Sequence, residues 1–311
     1  MDALLTRLFA SSPPVLATAT LDAWRLATTA HRAAAASTID RAALGGACAD
    51  RLGFAFAAAY AEALHALVPS LGGRIAALCA TEDGGAHPRA IRTALVLDDT
   101  GGYTLTGRKR WATAADGAAD LLVVASLGVD DAGRNRLRVA RVSTHAHGVR
   151  LTVTTAPFVP EIPHAEVELD HVRVAADDVL PGDGYDRYLK PFRTIEDLHV
   201  HAALLAYVAG VVHLHALAPT LLERALALLA ATRALAAGAA AAPATHLALA
   251  GLLDLVTAFV TDLEAAWSAP APASDEHARW QRDRPLLRVA ASARTARRDA
   301  ARAALVGAAS G

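Results

Sequence analysis

The chain has 311 residues, 54% of them hydrophobic and only 5% aromatic, with 30 basic and 31 acidic side chains and a net charge of −1. That length and apolar content allow one large domain or two to three small ones and exclude a disordered chain. The even charge balance, without a basic stripe, argues against a nucleic-acid partner.

The first 79 residues read as helices. Pro13 and Pro14 precede a run from about Val15 to Ala36. Ser37-Thr38-Ile39-Asp40 then has the Ser-x-x-Asp form of a capping box, which satisfies free N–H groups at a helix start. The helix it opens is expected to run through Asp50-Arg51-Leu52, and a third spans Phe54 to Val68. Pro69-Ser70-Leu71-Gly72-Gly73 punctuates the chain.

From about Arg92 to Leu180 the apolar spacing shortens to strand length. The runs are Arg92–Leu97, Tyr103–Thr106, Lys109–Ala114, Leu121–Ser126, Leu137–Ser143, Val149–Thr154 and Glu166–Val174. In the last, Val167, Leu169, Val172 and Val174 nearly alternate with polar residues, as in a half-buried antiparallel strand. Such short strands predict a small β-barrel or sandwich. From Thr194 the pattern is helical again. Thr194-Ile195-Glu196-Asp197 has the form of a second capping box, and Pro219 and Pro243 open further helices. A Pro-Ala spacer at Ala269–Ser274 precedes helical stretches at Asp275–Gln281 and Pro285–Val306. The chain thus reads as α+β and multidomain: an N-terminal helical domain over 1–79, a middle β-domain over 80–182 and a C-terminal helical bundle over 183–311.

Cys48 and Cys79 have no partners at metal spacing and read as buried thiols in a reducing compartment. No signal-like N-terminus or membrane-spanning run is evident, so the expectation is a cytoplasmic protein without a membrane partner.

Four motifs carry a resemblance. They are Cys79-Ala80-Thr81-Glu82-Asp83-Gly84-Gly85-Ala86-His87; Tyr103-Thr104-Leu105-Thr106-Gly107-Arg108-Lys109-Arg110-Trp111-Ala112-Thr113; Asp120 with Leu121–Ala125; and Glu168–Val174 with Val179-Leu180-Pro181-Gly182. In this order the chain resembles the acyl-CoA dehydrogenases, clearly over residues 40–215, and the resemblance implies FAD held on the middle β-domain. It assigns Thr81, Gly85, Trp111 and Thr113 to the cofactor: threonines that bond the flavin ring, an indole wall, and the glycine of the signature turn. Taken singly, a strand tryptophan is usually packing and paired glycines usually a turn. The combination of Thr81, Gly107, Trp111 and Thr113 points to the flavin instead.

Two departures stand out. The family's Gly-Ser-Asp is here Gly85-Ala86-His87, without the serine hydroxyl, and no glycine-rich loop carries a base before the last helices. Some branches place the base on the first helix of the C-terminal bundle, which singles out Glu196, beside Asp197 as the box's closing acid. The basic stretch Arg288, Arg294, Arg297, Arg298 and Arg302 reads as a solvated or subunit-facing stripe, or as arginines near the cofactor's pyrophosphate. Glu196-x-x-His199 lacks the second pair a di-iron site needs, so no metal is expected. The implied activity is α,β-dehydrogenation of an acyl-CoA or other acyl-carrier thioester with hydride transfer to flavin N5. An electron-transfer partner and a homo- or hetero-oligomer go with it. A flavin monooxygenase on the same fold, or a catalytically inactive subunit, are the alternatives.

Overall fold

The computed structural model describes residues 2–10, 15–268 and 274–309. Pro13, Pro14 and most of the Pro-Ala spacer lie outside the described residues. Two compact units emerge: one of helices, from Met1–Ala66, Pro157–Glu161 and Thr194–Gly311, and one around a sheet, from Leu67–Ala156 and Ile162–Arg193.

In the helical unit, α1 (Ala3–Ala10) is followed by α2 (Leu21–Ala33), which starts six residues later than the sequence pattern proposes because Thr20 caps it through a bond from Ala23 N–H. Ser37 caps α3 (Thr38–Ala47) and accepts from Asp40 N–H at 3.2 Å, as expected. The helix stops at Ala47 rather than continuing to Leu52, and α4 (Leu52–Leu67) begins afresh. Trp24 stacks on Phe54 at 5.2 Å between α2 and α4. Buried Glu62 on α4 gathers Arg32, Arg41 (2.8 Å) and His65 (3.5 Å).

The second proposed capping box is overturned. Helix α5 (Lys190–Leu214) begins four residues before Thr194, so Thr194 is a fully buried interior residue. Asp197 is instead bound by Arg294 at 2.7 Å and Arg297 at 2.5 Å. Helices α6 (Pro219–Ala236), α7 (Pro243–Ser268), α8 (Asp275–Asp283) and α9 (Ala291–Ala309) complete the unit, with proline at the start of α6 and α7 as the sequence indicates. The basic helix α9 is therefore not a free stripe: Arg298 also pairs with Asp254 at 2.8 Å.

The sheet unit holds seven strands: β1 (Ala76–Cys79), β2 (Ala94–Leu97), β3 (Tyr103–Thr113), β4 (Asp120–Val129), β5 (Asn135–Ser143), β6 (Val149–Thr154) and β7 (His164–Val174). They form one curled mixed sheet in the order β1-β4-β2-β3-β7-β6, with β5 added to β4. β1 escapes the sequence reading, and the two expected runs 103–106 and 109–114 are one strand. Gly107 joins them: at φ +158 it lies against Thr93, whose Cα would be 2.7 Å from an added Cβ. A core of Leu95, Leu105, Val123, Val167, Leu169 and Val172 covers one sheet face.

Two bulges shape the β3–β7 pair. Leu105 pairs with Val172 and Gly107 with Leu169, so β7 carries an extra residue at Asp170-His171, and His171 is at φ +51. This is why the polar residues of that run alternate only imperfectly. Lys109 pairs with Val167 and Ala112 with Ala165, so β3 carries an extra residue at Arg110-Trp111.

Candidate functional site

The chain enters the sheet through β1 and leaves it at Thr81-Glu82 into a tight turn. Glu82 N–H donates to Gly85 O and Gly85 N–H to Glu82 O, at 3.1 and 2.9 Å, with Gly85 at φ +94. That backbone angle favours glycine. Both backbone hydrogen-bonding groups of Gly85 are thus engaged in the turn. His87 caps the next short turn by accepting from Arg89 N–H.

Glu82 is the anchor of the region. Its Oε1 accepts from Lys109 Nζ at 2.6 Å, from Thr93 Oγ1 at 2.8 Å and from Thr93 N–H at 3.0 Å, and its Oε2 from Arg92 N–H at 2.8 Å. Burial disfavours the Glu82 charge, but Lys109 and the two backbone N–H groups outweigh it and hold the carboxyl below its ordinary value. Lys109 is fully buried, and that burial lowers its ammonium's pKa despite Glu82. This pair ties the Thr-Glu motif to the Gly-x-Lys motif. Sequence motifs name both residues, but nothing in them predicts their contact.

The same tie brings the expected flavin contacts together. Arg110 N–H donates to Thr81 O at 2.8 Å, which sets Thr81 beside the β3 bulge and its Trp111. Trp111, at φ +59, is 60% exposed, an unusual state for a large aromatic ring in a strand. Alternation alone would put Trp111 and Thr113 on one side. Here Arg110 and Trp111 at the bulge are exposed, Ala112 is buried and Thr113 is half-buried. The Thr81 and Thr113 hydroxyls make no hydrogen bond among the described residues. His164, not foreseen from the sequence, pairs with Thr113 across the strands and meets the Trp111 ring edge-on at 6.3 Å. Its Nδ1 is buried without a hydrogen-bond partner, and burial pushes the imidazole below its ordinary value. Only its register position next to Thr113 could have flagged it.

Beside this group lies a recess of ≈ 500 Å³, bordered by Gly84, Arg92, Arg108 and Arg110. Arg108 and Arg110 share Glu166 at 2.7 Å, and Arg110 also binds Asp83 at 2.7 Å. The exposed Arg92 side chain has no polar partner among the described residues. It is available to an anion.

Glu196 belongs to the helical unit, half-buried on α5. Its neighbour Asp197 is committed to Arg294 and Arg297, whose charges outweigh burial and lower its pKa.

No family model and no curated protein matches the sequence. Solved structures do match. Butyryl-CoA dehydrogenase from Megasphaera elsdenii superposes with a TM-score of 0.67 at 16% identity, over 85% of this chain and 82% of that one. Apo-form PigA gives 0.65 at 13% identity over 92% of both chains. A glutaryl-CoA dehydrogenase from Mycobacterium smegmatis, solved in complex with FADH2, gives 0.62 at 15% identity, over 82% and 76%. The chain has the acyl-CoA dehydrogenase fold. Within that acyl-CoA dehydrogenase fold, the first two motifs of the sequence meet around Thr81 and Trp111.

Proposed function

We propose that the protein is an FAD-dependent oxidoreductase that oxidises a CH–CH bond next to a thioester carbonyl. The observation that carries this reading is the juxtaposition of an exposed Trp111 ring with two unspent hydroxyls, Thr81 and Thr113. A solvent-facing indole held at positive φ has no packing role that explains it, whereas a flat, polar-edged ring system needs an aromatic wall with hydrogen-bonding groups nearby. FAD, when bound, supplies the hydride acceptor. On this reading Trp111 covers one ring face, Thr81 and Thr113 bond the ring's polar edge, and Gly85 keeps the turn narrow beside it. Arg92 meets an anionic group of the cofactor or of a CoA-type or other acyl-carrier substrate.

The base we assign is Glu196. The resemblance implies a base on this first helix of the C-terminal bundle, and its other acid, Asp197, is engaged by Arg294 and Arg297. Electrons would pass onward to a separate electron-transfer protein.

The test is direct. The purified protein is incubated with FAD, its visible spectrum recorded, and the flavin titrated anaerobically with a panel of acyl-CoAs. Bleaching by a thioester that Glu196→Gln abolishes supports the dehydrogenase. Stoichiometric flavin that bleaches only with an external reductant and then consumes oxygen favours a monooxygenase. A protein that refuses FAD overturns the reading and leaves a non-catalytic subunit.

The outer face of α7 supports self-association. This 26-residue helix is rich in apolar residues, yet much of its apolar surface is left exposed. Ala248, Gly251, Leu255, Ala258 and Ala265 are exposed along it, with Leu255 at 62%. Small residues three and four apart permit close helix approach, and a second copy of the chain is the occupant we assign.

A further inference from the structure

The helical unit contains a cavity of ≈ 760 Å³ that the flavin reading does not use. Its walls are mostly apolar, with Ala66, Ala230, Ala234, Ile195 and Leu198 among them, and Thr38 and His199 both line it. His199 is buried on α5 and Thr38 is half-buried at the first position of α3. His199 Nε2 lies 3.0 Å from Thr38 Oγ1, and His199 Nδ1 lies 2.7 Å from Ile195 O.

These two contacts fix the tautomer. A carbonyl oxygen only accepts, so the Nδ1 proton belongs to the bond with Ile195 O. Burial favours the neutral imidazole and lowers its pKa, with Glu62 pulling the other way and Arg41 reinforcing burial. Nε2 of the neutral ring therefore carries a lone pair, and the Thr38 hydroxyl donates to it. This is a hydroxyl, a base, and a third group that orients the base. The Asp40 N–H is taken by Ser37 Oγ, while the Thr38 and Ile39 N–H groups have no acceptor among the described residues.

We propose that Thr38 and His199 form a nucleophile–base dyad that hydrolyses small carboxylic esters with an apolar acyl group. The alanine-lined cavity takes the acyl chain. Asp2 and Asp40 flank Arg233 in the cavity wall and sum with it to a net negative charge, which favours a neutral leaving alcohol over an anionic one. In the step itself, a bond forms from Thr38 Oγ to the ester carbonyl carbon as the hydroxyl proton passes to His199 Nε2. The bond to the alcohol oxygen breaks and the alcohol leaves with that proton. Water then attacks the acyl-threonine by the same route, releasing the acid and restoring Thr38. Nothing is oxidised or reduced, and no part of the dyad depends on flavin.

The test uses the full chain, with and without FAD, and p-nitrophenyl butyrate as probe. The expected result is hydrolysis above the solvent rate and, after rapid acid quench, a butyryl group mapped by peptide mass spectrometry to Thr38. Thr38→Ser retains turnover, Thr38→Val abolishes it, and His199→Gln lowers it by about 100-fold. Undiminished hydrolysis by folded Thr38→Val, or a butyryl group only on other residues, overturns the proposal. If Thr38→Val does not fold, the adduct map of the unaltered protein decides alone. An inert protein in which Thr38 is never acylated also overturns the dyad, and leaves the flavin reading untouched.

Discussion

Lys109 Nζ lies 2.6 Å from Glu82 Oε1, and the lysine side chain is fully buried. One ion pair therefore joins the turn after β1 to the middle of β3, and through Thr93 and Arg92 it also fixes the approach to β2. Removing one partner of a buried pair strands the other charge, at a cost of about 3–5 kcal/mol. Lys109→Met is expected to destabilise the fold by that amount in urea unfolding. The paired replacement of Lys109→Met with Glu82→Gln should recover part of the loss, because the amide oxygen still accepts from Thr93. A single mutant no less stable than the unaltered protein would show the pair to be dispensable.

Glu62 gives the clearest pH dependence. Burial raises its pKa, but His65, Arg32 and Arg41 outweigh it and bring the carboxyl down to about 2 from 4.5. A folded value below the unfolded one means that the stabilisation is present above pH 4.5 and is lost as the pH falls toward 2. The full difference corresponds to about 3 kcal/mol. Unfolding free energies measured at intervals from pH 6 to 3 should fall steeply in the unaltered chain and more shallowly in Glu62→Gln. Parallel curves would assign the acid sensitivity to other carboxylates.

The helix–sheet–helix order is legible in the sequence because each segment has its own period and punctuation. Ser37 announces a helix start that the structure contains, and Pro219 and Pro243 do the same. Thr194 shows where such reasoning fails. Its capping-box spacing is genuine, but Lys190-Pro191 starts the helix earlier and Asp197 is drawn to arginines nearly a hundred residues away, which no local pattern encodes. β1 is missed because Ala76–Cys79 is short, largely buried and without polar alternation. The bulge at Trp111 and the approach of His164 are likewise products of strand pairing, so the motif names Trp111 without disclosing that it faces solvent.

That exposure leads to a prediction at Trp111. A bulky residue at φ +59 costs of order 1 kcal/mol, which glycine would not incur. With 60% of the side chain exposed, Trp111→Gly should leave the flavin-free protein's stability within about 1 kcal/mol of its original value. If the indole is the flavin wall, the same change should weaken FAD binding at least about tenfold, equivalent to about 1.4 kcal/mol. Thermal unfolding of the flavin-free protein and fluorescence titration with FAD measure the two effects separately. Unchanged affinity would remove Trp111 from the cofactor site.

The α7 face provides the last test. Leu255 is 62% exposed between Gly251 and Ala258, which are themselves exposed, so a second copy could approach closely along this stretch, with the Asp262–Arg224 pair two turns further on at its rim. A charge at the centre of such a contact would be buried unpaired and costs several kcal/mol, whereas in a monomer it would simply be solvated. Leu255→Arg is therefore expected to halve or further reduce the particle mass measured by light scattering on the size-exclusion column, with unchanged helical circular dichroism. A chain that is already monomeric before the substitution, or an oligomer that ignores it, would show that α7 is not the interface. In the monomeric case the exposed apolar helix would still need an occupant, and a different protein becomes the one to seek.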